Sequence, residues 1–357
     1  MFSTIPASSD ELKTVVLSES IKAIKMNTFL DNFDAERFNY DGVDRSKFFN
    51  TSERIFWLSW FHDNFEKIFA AFILFKSEKS KKLFLNLLAF RIAGHHSVRI
   101  DTGFDESAPA FQAYIANEFF SESSLSVTGM FGKLKHYDFL YNKKRYIADC
   151  LGFKYVLYRG QYFFDDGEVK IQPDEADVVI DAGACLGEAA VVFGKAVGGG
   201  GRVFAFDPVE NHLEVLAHNI KQNPDCNIKA MPFGLADVDI NCAPMKLQTY
   251  APGFRSGNQP VPLRSLDSLV IDGEIQKVNF IKMDIEGAEM SAIKGAAGSI
   301  RKFRPKLAVS LYHKPNDIFE IPRYIADEFP FYDFYLDHYT IHNEETVLYC
   351  NPRAVDS

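Results

Sequence analysis

The chain has 357 residues, is 47% hydrophobic and carries a formal net charge of −9. This apolar content is ample for a buried core and is typical of a globular protein rather than a disordered one. The acidic balance disfavours a nucleic-acid groove and an anionic membrane surface, so neither partner is predicted.

The cysteine usage and the apolar runs bear on the compartment. The five cysteines are scattered and form no CxxC pair, which is typical of a reduced protein rather than a disulfide framework or a zinc ribbon. The opening MFSTIPASSDELK lacks the basic-then-apolar pattern of a signal peptide, and the apolar run at residues 68–75 is too short to span a bilayer. We therefore predict a soluble, cytoplasmic protein with no membrane partner.

Residues 1–150 are predicted to form a mainly helical N-terminal region of unknown role. Residues 10–30 match a marginal helix, and residues 53–75 have apolar side chains on most sides, which predicts one or two well-buried helices. Ser77 and Gly94 stand where the cap and the stop of a further helix belong. The aromatic residues of this region are predicted to be core, with an acceptor pocket or a homo-oligomer interface as alternatives.

The pattern of predicted elements changes in the later part of the chain. After short strands and turns over residues 144–171, apolar strands alternate with helices, which predicts a mostly parallel sheet covered on both faces. Residues 331–350 predict an antiparallel hairpin at one edge, and the Gly- and Pro-rich residues 249–262 predict a long loop, a lid or a mobile segment. The predicted strands are 177–182, 202–207, 227–233, 277–284 and 305–312, and the predicted helices are 188–197, 210–223 and 288–300.

The stretch VVIDAGACLGE (178–188) joins the first of these strands to its helix. Gly183 permits a turn closed to residues with a Cβ, and Gly187 is predicted to let the chain pass close to a ligand. A dinucleotide fingerprint would bring a pyrophosphate to this turn, where Asp181 and Glu188 would repel it. A ligand with an amino group and a sulfonium cation avoids that repulsion, which favours S-adenosylmethionine.

Further carboxylates follow two other strands. Asp207 ends the second strand and is suited to accept both hydroxyls of a ribose, while Pro208 redirects the chain. Asp284, Glu286 and Glu289 crowd the end of a buried strand and repel one another unless a cation, a cationic ligand or amide donors offset them. The alternative is that these acids merely end strands and begin helices, where the helix dipole favours negative charge.

Together with SLDSL and LAVSLYHKPNDIFEIPRYI, these motifs resemble the FkbM-type S-adenosylmethionine-dependent methyltransferases over roughly residues 160–350. The resemblance implies a class I methyltransferase (Rossmann-like) fold in residues 151–357, with a seven-stranded α/β sheet and an antiparallel edge hairpin. It also implies O-methylation, on a hydroxyl of a sugar, a glycan or a secondary metabolite.

The resemblance further implies roles for individual residues. Asp207 would hold the ribose, Asp237 in FGLAD (233–237) would meet the adenine amine, and Asp284 would face the reaction centre. The implied cofactor-binding residues are Asp181, Gly183, Ala184, Gly187, Glu188, Asp207, Pro208, Gly234, Asp237 and Asp284.

The candidate catalytic residues are Asp284 and His313. An aliphatic hydroxyl is a poor nucleophile, so a general base helps, and His313 follows a buried strand at the same rim as Asp284. The alternative role for His313 is a hydrogen bond to the acceptor or the backbone. Asp284, Glu286 and His313 would also suit Mg²⁺, although we predict no metal. Tyr162 and Glu286 are the candidate substrate contacts.

The remaining histidines carry no predicted chemistry. His338 and His342 lack a clear third ligand and are predicted to be structural or loop residues, and His95 and His96 are predicted to be at the surface.

Two other functions compete with the methyltransferase. A nicotinamide-dependent oxidoreductase would be expected to have a third glycine in the first turn, where this chain has Ala190 and Val191. A non-catalytic binding module on the same fold predicts loss of Asp207 or Asp284, and both are present.

Overall fold

The structure is a computed structural model that describes residues 2–26, 29, 32, 33, 51–103, 105, 107–125, 134–247 and 257–354. Within these segments, no helix combines the length and the apolarity needed to cross a bilayer.

The helices predicted at 188–197 and 210–223 are found there to within one residue, whereas Leu266–Ile271 and Asp317–Glu328 are helices that were not predicted. The predicted helix at 288–300 is two short helices that meet at Ala296. A short π-helix, Lys154–Tyr158, lies in the stretch predicted to be strands and turns. The α-helices are α1 (Ser9–Met26), α2 (Thr51–Phe72), α3 (Glu78–Ala93), α4 (Pro109–Asn117), α5 (Glu188–Val197), α6 (Glu210–Gln222), α7 (Leu266–Ile271), α8 (Glu289–Gly295), α9 (Ala297–Phe303) and α10 (Asp317–Glu328).

The strands include those predicted and several short ones. They are β1 (Phe120–Glu122), β2 (Lys135–Tyr141), β3 (Lys144–Cys150), β4 (Phe164–Asp165), β5 (Lys170–Ile171), β6 (Val178–Ala182), β7 (Arg202–Phe206), β8 (Ile228–Met231), β9 (Gly234–Leu235), β10 (Ile240–Leu247), β11 (Gly257–Arg264), β12 (Phe280–Met283), β13 (Lys306–Ser310), β14 (Tyr332–His338) and β15 (Thr346–Pro352).

The largest sheet has seven strands in the order β14-β15-β13-β12-β6-β7-β8. Strands β13, β12, β6, β7 and β8 pair in parallel, whereas β14 and β15 pair antiparallel, as the alternation and the final hairpin predicted. Ala182 pairs with both Met283 and Phe206, so the carboxyl ends of β12, β6 and β7 lie at one level. The residues that follow these strands therefore meet at one edge of the sheet.

The contacts divide the chain into two compact units. The first comprises residues 1–104 and 310–357, and the second comprises residues 105–309. The predicted boundary between residues 150 and 151 concerns function and stays a prediction.

In the first unit, α1, α2 and α3 confirm a helical N-terminal region. The Ser77 hydroxyl accepts a hydrogen bond from the Ser80 amide at 3.1 Å, and Gly94 ends α3 at a φ of +86°, as predicted. Helix α3 is buried along most of its length, but α2 buries one stripe that includes Trp60 and Phe61. The expectation of a well-buried helix is wrong for the first part of α2, because Ile55 and Phe56 are exposed.

One histidine of the first unit is more buried than predicted, and His338 and His342 are buried residues of the same unit. His95 is buried and its ring lies 4.2 Å from that of His96, so the prediction of two surface residues is wrong for His95. His338 Nδ1 lies 2.8 Å from the Thr346 hydroxyl in a buried hydrogen bond between β14 and β15. His342 is also buried, with its ring 5.0 Å from that of Phe33.

The second unit contains a small sheet where a loop was predicted. Strand β11 pairs antiparallel with β10 and parallel with β9, which satisfies the backbone groups on both of its sides. The predicted loop at 249–262 is therefore wrong for residues 257–262, where Val261 is buried. Residues 248–256 lie outside the described residues.

Candidate cofactor and active site

Carboxylates stand at the ends of three neighbouring parallel strands. Asp181 is the penultimate residue of β6, Asp207 directly follows β7, and Asp284 directly follows β12. The sheet register brings these strand ends to one level, so the structure gathers the three predicted acids at one edge. Asp181 and Asp207 are buried, and Asp284 is half-buried.

The turn after β6 is attached to β7 by its own backbone. The amides of Gly183 and Ala184 both donate to the Phe206 carbonyl at 2.9 Å. Gly183 adopts a φ of +79°, and a Cβ there would lie 1.8 Å from the Asp284 carbonyl oxygen. Glycine is therefore required both by the dihedral angle and by the close approach of the β12 end.

Gly187 lies where protein packing and backbone conformation favour glycine, and its predicted approach to a ligand stays a prediction. Its φ is +95°, and a Cβ at this position would lie 2.6 Å from Leu216 Cδ1 on α6. The missing side chain lets α5 begin directly against α6.

Lys282, which the sequence analysis missed, lies at the centre of the carboxylates. Its Nζ is 3.0 Å from Asp181 Oδ1, and it donates to the carbonyls of Ala182 at 3.1 Å and Gly183 at 2.7 Å. Burial raises the pKa of Asp181, and Lys282 lowers it only in part. A lysine within the apolar run NFIKMD was the available signal, since a buried lysine needs partners.

Glu188 opens α5 beside the turn. Burial raises the pKa of its carboxyl group to about 7. Glu188 Oε2 and Asp181 Oδ2 are buried and have no hydrogen-bond partner among the described residues. Buried carboxylate oxygens without donors are costly, so these atoms mark a place where a cationic ligand would be favourable.

Asp207 is held by both of its oxygens. Oδ1 accepts from the Val209 amide at 2.9 Å and lies 3.0 Å from His212 Nδ1, and Oδ2 accepts from the Cys185 amide at 3.0 Å. His212, which lies in the first turn of α6, was not found from the sequence. A carboxylate has further lone pairs, so these contacts fix Asp207 and leave capacity for hydroxyl donors.

The predicted adenine side lies on β9 and after it. Gly234 is near Pro208, since a Cβ at 234 would lie 3.6 Å from Pro208 Cγ. Asp237 is exposed, and its Oδ1 accepts from the Ser291 hydroxyl at 2.7 Å. The role of Asp237 at the adenine stays a prediction.

Tyr162 reaches Asp284 from an unusual backbone conformation. Its hydroxyl donates to Asp284 Oδ2 at 2.6 Å and accepts from Gln161 Nε2 at 3.0 Å. The ring is buried, and Lys282 Nζ lies 5.3 Å from its centroid. The φ of Tyr162 is +73°, which costs a bulky residue about 1–3 kcal/mol and is maintained by its surroundings.

The other two acids after β12 differ from each other. Glu289 is buried, and its Oε1 accepts from the amides of Ile285 at 2.8 Å and Gly287 at 3.4 Å. A carboxylate oxygen of Glu289 lies within 4.8 Å of one of Asp284. Glu286 is exposed and has a φ of +56°. Amide donors thus account for Glu289, while Glu286 stays a predicted substrate contact.

His313 belongs to the first unit. It lies three residues after β13 and is half-buried, with its ring 4.2 Å from that of Tyr312. Its role as general base stays a prediction.

The strand order and the acids at the carboxyl ends of the strands define a class I, Rossmann-like methyltransferase fold. A sequence profile described as "Methyltransferase FkbM domain" matches residues 181–340, so this part of the chain is an FkbM-type methyltransferase domain. The resemblance to FkbM-type methyltransferases found in the sequence is confirmed for residues 181–340.

Two similar proteins extend the comparison. The structure of methyltransferase FkbM from Methylobacillus flagellatus KT is 22% identical, with a TM-score of 0.54 over 83% of this chain and 60% of that one. The hexuronic acid methyltransferase AglP of Haloferax volcanii is 27% identical over 134 residues, which are 36% of this chain and 54% of that protein. The matched region is thus about half the length of this curated relative. The likeness to the solved structure supports the fold.

Proposed function

We propose that this protein transfers a methyl group from S-adenosylmethionine to a hydroxyl of a sugar, a glycan or a secondary metabolite. The observation that carries the proposal is a pair of buried oxygens at the turn after β6, Asp181 Oδ2 and Glu188 Oε2, which have no hydrogen-bond partner in the described part of the chain. The FkbM domain match over residues 181–340 supports methyl transfer as the reaction class.

The charge of the site fits this cofactor better than a dinucleotide. Asp181, Glu188, Asp207 and Asp284 surround a single lysine, Lys282, among the described residues of this edge. A pyrophosphate would add like charge to this excess of carboxylates, whereas an ammonium group and a sulfonium would reduce it.

The residues proposed to hold the cofactor divide by its parts. Asp181, Gly183, Ala184, Gly187 and Glu188 would form the side of the amino acid moiety. Asp207 and Pro208 would hold the ribose, and Gly234 and Asp237 would lie beside the adenine. When bound, S-adenosylmethionine supplies an electrophilic methyl group on a sulfonium.

The chain's own contribution to the reaction is orientation and proton removal. Asp284 would orient the acceptor hydroxyl, and His313 would take its proton as the oxygen–methyl bond forms and the methyl–sulfur bond breaks, with S-adenosylhomocysteine as the leaving group. Tyr162 and Glu286 are the proposed contacts to the rest of the acceptor. A sugar acceptor is supported by the name of the Haloferax relative, a hexuronic acid methyltransferase.

Thermal shift with two ligands tests the cofactor. S-adenosylhomocysteine is expected to raise the melting temperature and NAD to leave it unchanged. Stabilisation by NAD, with none by S-adenosylhomocysteine, would overturn the proposal in favour of an oxidoreductase.

Transfer of a labelled methyl group to a panel of hexuronic acids, neutral hexoses and their glycosides tests the acceptor. Among acceptors that are methylated, His313→Ala is expected to lower turnover by roughly 10²–10⁴-fold while S-adenosylhomocysteine still binds. His62→Ala, which changes an exposed histidine on α2, is the matched control and should keep full turnover. Equal turnover in both variants would remove His313 from the role of base.

A chelator separates this mechanism from a metal-assisted one. Turnover is expected to persist in EDTA. Loss of turnover that Mg²⁺ restores would assign the activation of the hydroxyl to a metal instead of to His313.

A further inference from the structure

The hydroxyl of Tyr162 makes a hydrogen bond inside the protein, and this contact indicates its role. Its hydroxyl lies 2.6 Å from Asp284 Oδ2, its ring is buried, and its backbone is held at a φ of +73°. A side chain that only filled a pocket would not require this disfavoured conformation. The conformation is explained if the hydroxyl must reach Asp284.

The direction of the hydrogen bond is set by Gln161. Gln161 Nε2 donates to the Tyr162 oxygen at 3.0 Å, so this oxygen acts as the acceptor on that side. A phenol has one proton, which is therefore directed at Asp284 Oδ2. The short distance is typical of a hydroxyl that donates to an ionised carboxylate.

We propose that Tyr162 is a positioning residue that fixes Asp284 Oδ2 and stabilises the ionised carboxylate. This inference rests on the proposed role of Asp284 in methyl transfer. It assigns Tyr162 a function through Asp284, in addition to the acceptor contact predicted from the sequence.

The charged groups around Asp284 make such a donor necessary. Asp181 and Glu289 lie on the same edge and oppose a further negative charge. Lys282 favours a negative charge on Asp284, but its ammonium group is also bound to Asp181 and to two carbonyls. Glu286 follows two residues later on the same loop, and His313 is the remaining titratable group predicted at this rim. Hydrogen bonding to the charged form offsets the repulsion from the acids.

The test is a ¹³C NMR titration of the Asp284 carboxyl in protein labelled at aspartate, without cofactor, with the signal assigned by its loss in Asp284→Asn. Tyr162→Phe is expected to raise the titration midpoint by about one pH unit, because it removes a hydrogen bond to the charged form. Gln161→Leu should raise it by a smaller amount, since the phenol then loses its orientation. Tyr141→Phe, which removes a phenol hydroxyl at the end of β2, is the matched control and should leave the midpoint unchanged.

An unchanged midpoint in folded Tyr162→Phe would overturn the inference. If that variant does not fold, Gln161→Leu decides: a raised midpoint supports the inference and an unchanged one overturns it. Failure of the wild-type protein to bind S-adenosylhomocysteine would instead count against the proposed function. The titration needs no cofactor, so the two failures are distinguishable.

Discussion

Lys282 in the second unit and Arg91 in the first are both buried cations, but their surroundings differ in kind. Lys282 lies among carboxylates and carbonyls, whereas Arg91 lies against the rings of Trp57 and Trp60 and donates to Asn343 Oδ1 and the Pro315 carbonyl. Burial alone would lower the pKa of Lys282, but Asp181 and Asp284 outweigh it and raise that pKa. Burial lowers the pKa of Arg91 to about 10, and Asp317 offsets only part of the effect.

The difference distinguishes the proposed cofactor site from a packing core. Around Lys282 the carboxylates outnumber the cation, which leaves negative charge that an incoming cation can meet. Around Arg91 the partners are mostly aromatic faces and neutral acceptors, which stabilise the guanidinium and leave little charge for a ligand.

Lys282→Met tests this contrast with the largest expected effect. The substitution leaves Asp181 buried without its counterion and should lower the free energy of unfolding by about 3–5 kcal/mol. Urea unfolding followed by circular dichroism measures it. Adding Asp181→Asn should recover part of the loss, and no recovery would mean that packing, not charge, sets the cost.

Arg91→Met should cost less, about 2 kcal/mol, because cation–π contacts and two hydrogen bonds are lost while most partners are neutral. The same unfolding experiment applies, with binding of S-adenosylhomocysteine expected to stay at the wild-type level. A cost equal to that of Lys282→Met, or weakened binding, would erase the distinction between the two cations.

The contribution of Glu188 to the stability of the proposed cofactor site depends on pH. Its pKa is raised from 4.5 to about 7, so the folded state binds the proton more tightly than the unfolded state does. The resulting stability is fully present below pH 4.5 and is lost as the pH rises through about 7. Partial exposure limits the effect to about 1–2 kcal/mol. Glu188→Gln should therefore gain stability relative to wild type between pH 5 and 8, and parallel stability curves would contradict this account.

Substitutions at two helix caps form a matched pair with the smallest expected effects. Ser77 caps α3 in the first unit and Ser265 caps α7 in the second, each accepting from an amide three residues later at 3.1 Å. Ser77→Ala and Ser265→Ala should each cost about 1 kcal/mol. A thermal melt of each variant measures this, and neither should alter binding of S-adenosylhomocysteine.

The central βαβ elements could be predicted from the sequence to within a residue or two. Helix α5 occupies the predicted residues 188–197, and β6 and β7 begin or end within one residue of their predicted bounds. The bounds of these elements can be predicted from the local sequence, because a parallel strand buried on both faces is a short apolar run and here glycine and acids mark its ends. The same pattern predicted the acids that meet at the strand ends.

Other features depend on contacts that the sequence pattern does not contain. Strand β11 contains Gly257 and two prolines and resembles a loop, yet pairing with β9 and β10 makes it a strand. Lys282 lies in an apolar run, and its significance comes from partners about 100 residues away in the chain. Tyr162 was predicted beside the acceptor, but its hydrogen bond to Asp284 required the fold.

The close approach of Gly183 to the Asp284 carbonyl has a consequence for redesign of this protein. A methyl group at position 183 would displace the β12 end, and with it the loop proposed to select the acceptor. The turn proposed to face the nucleoside and the loop proposed to face the acceptor are therefore expected to be exchangeable between homologues only together. A chimera is expected to function when both segments are transplanted as one piece.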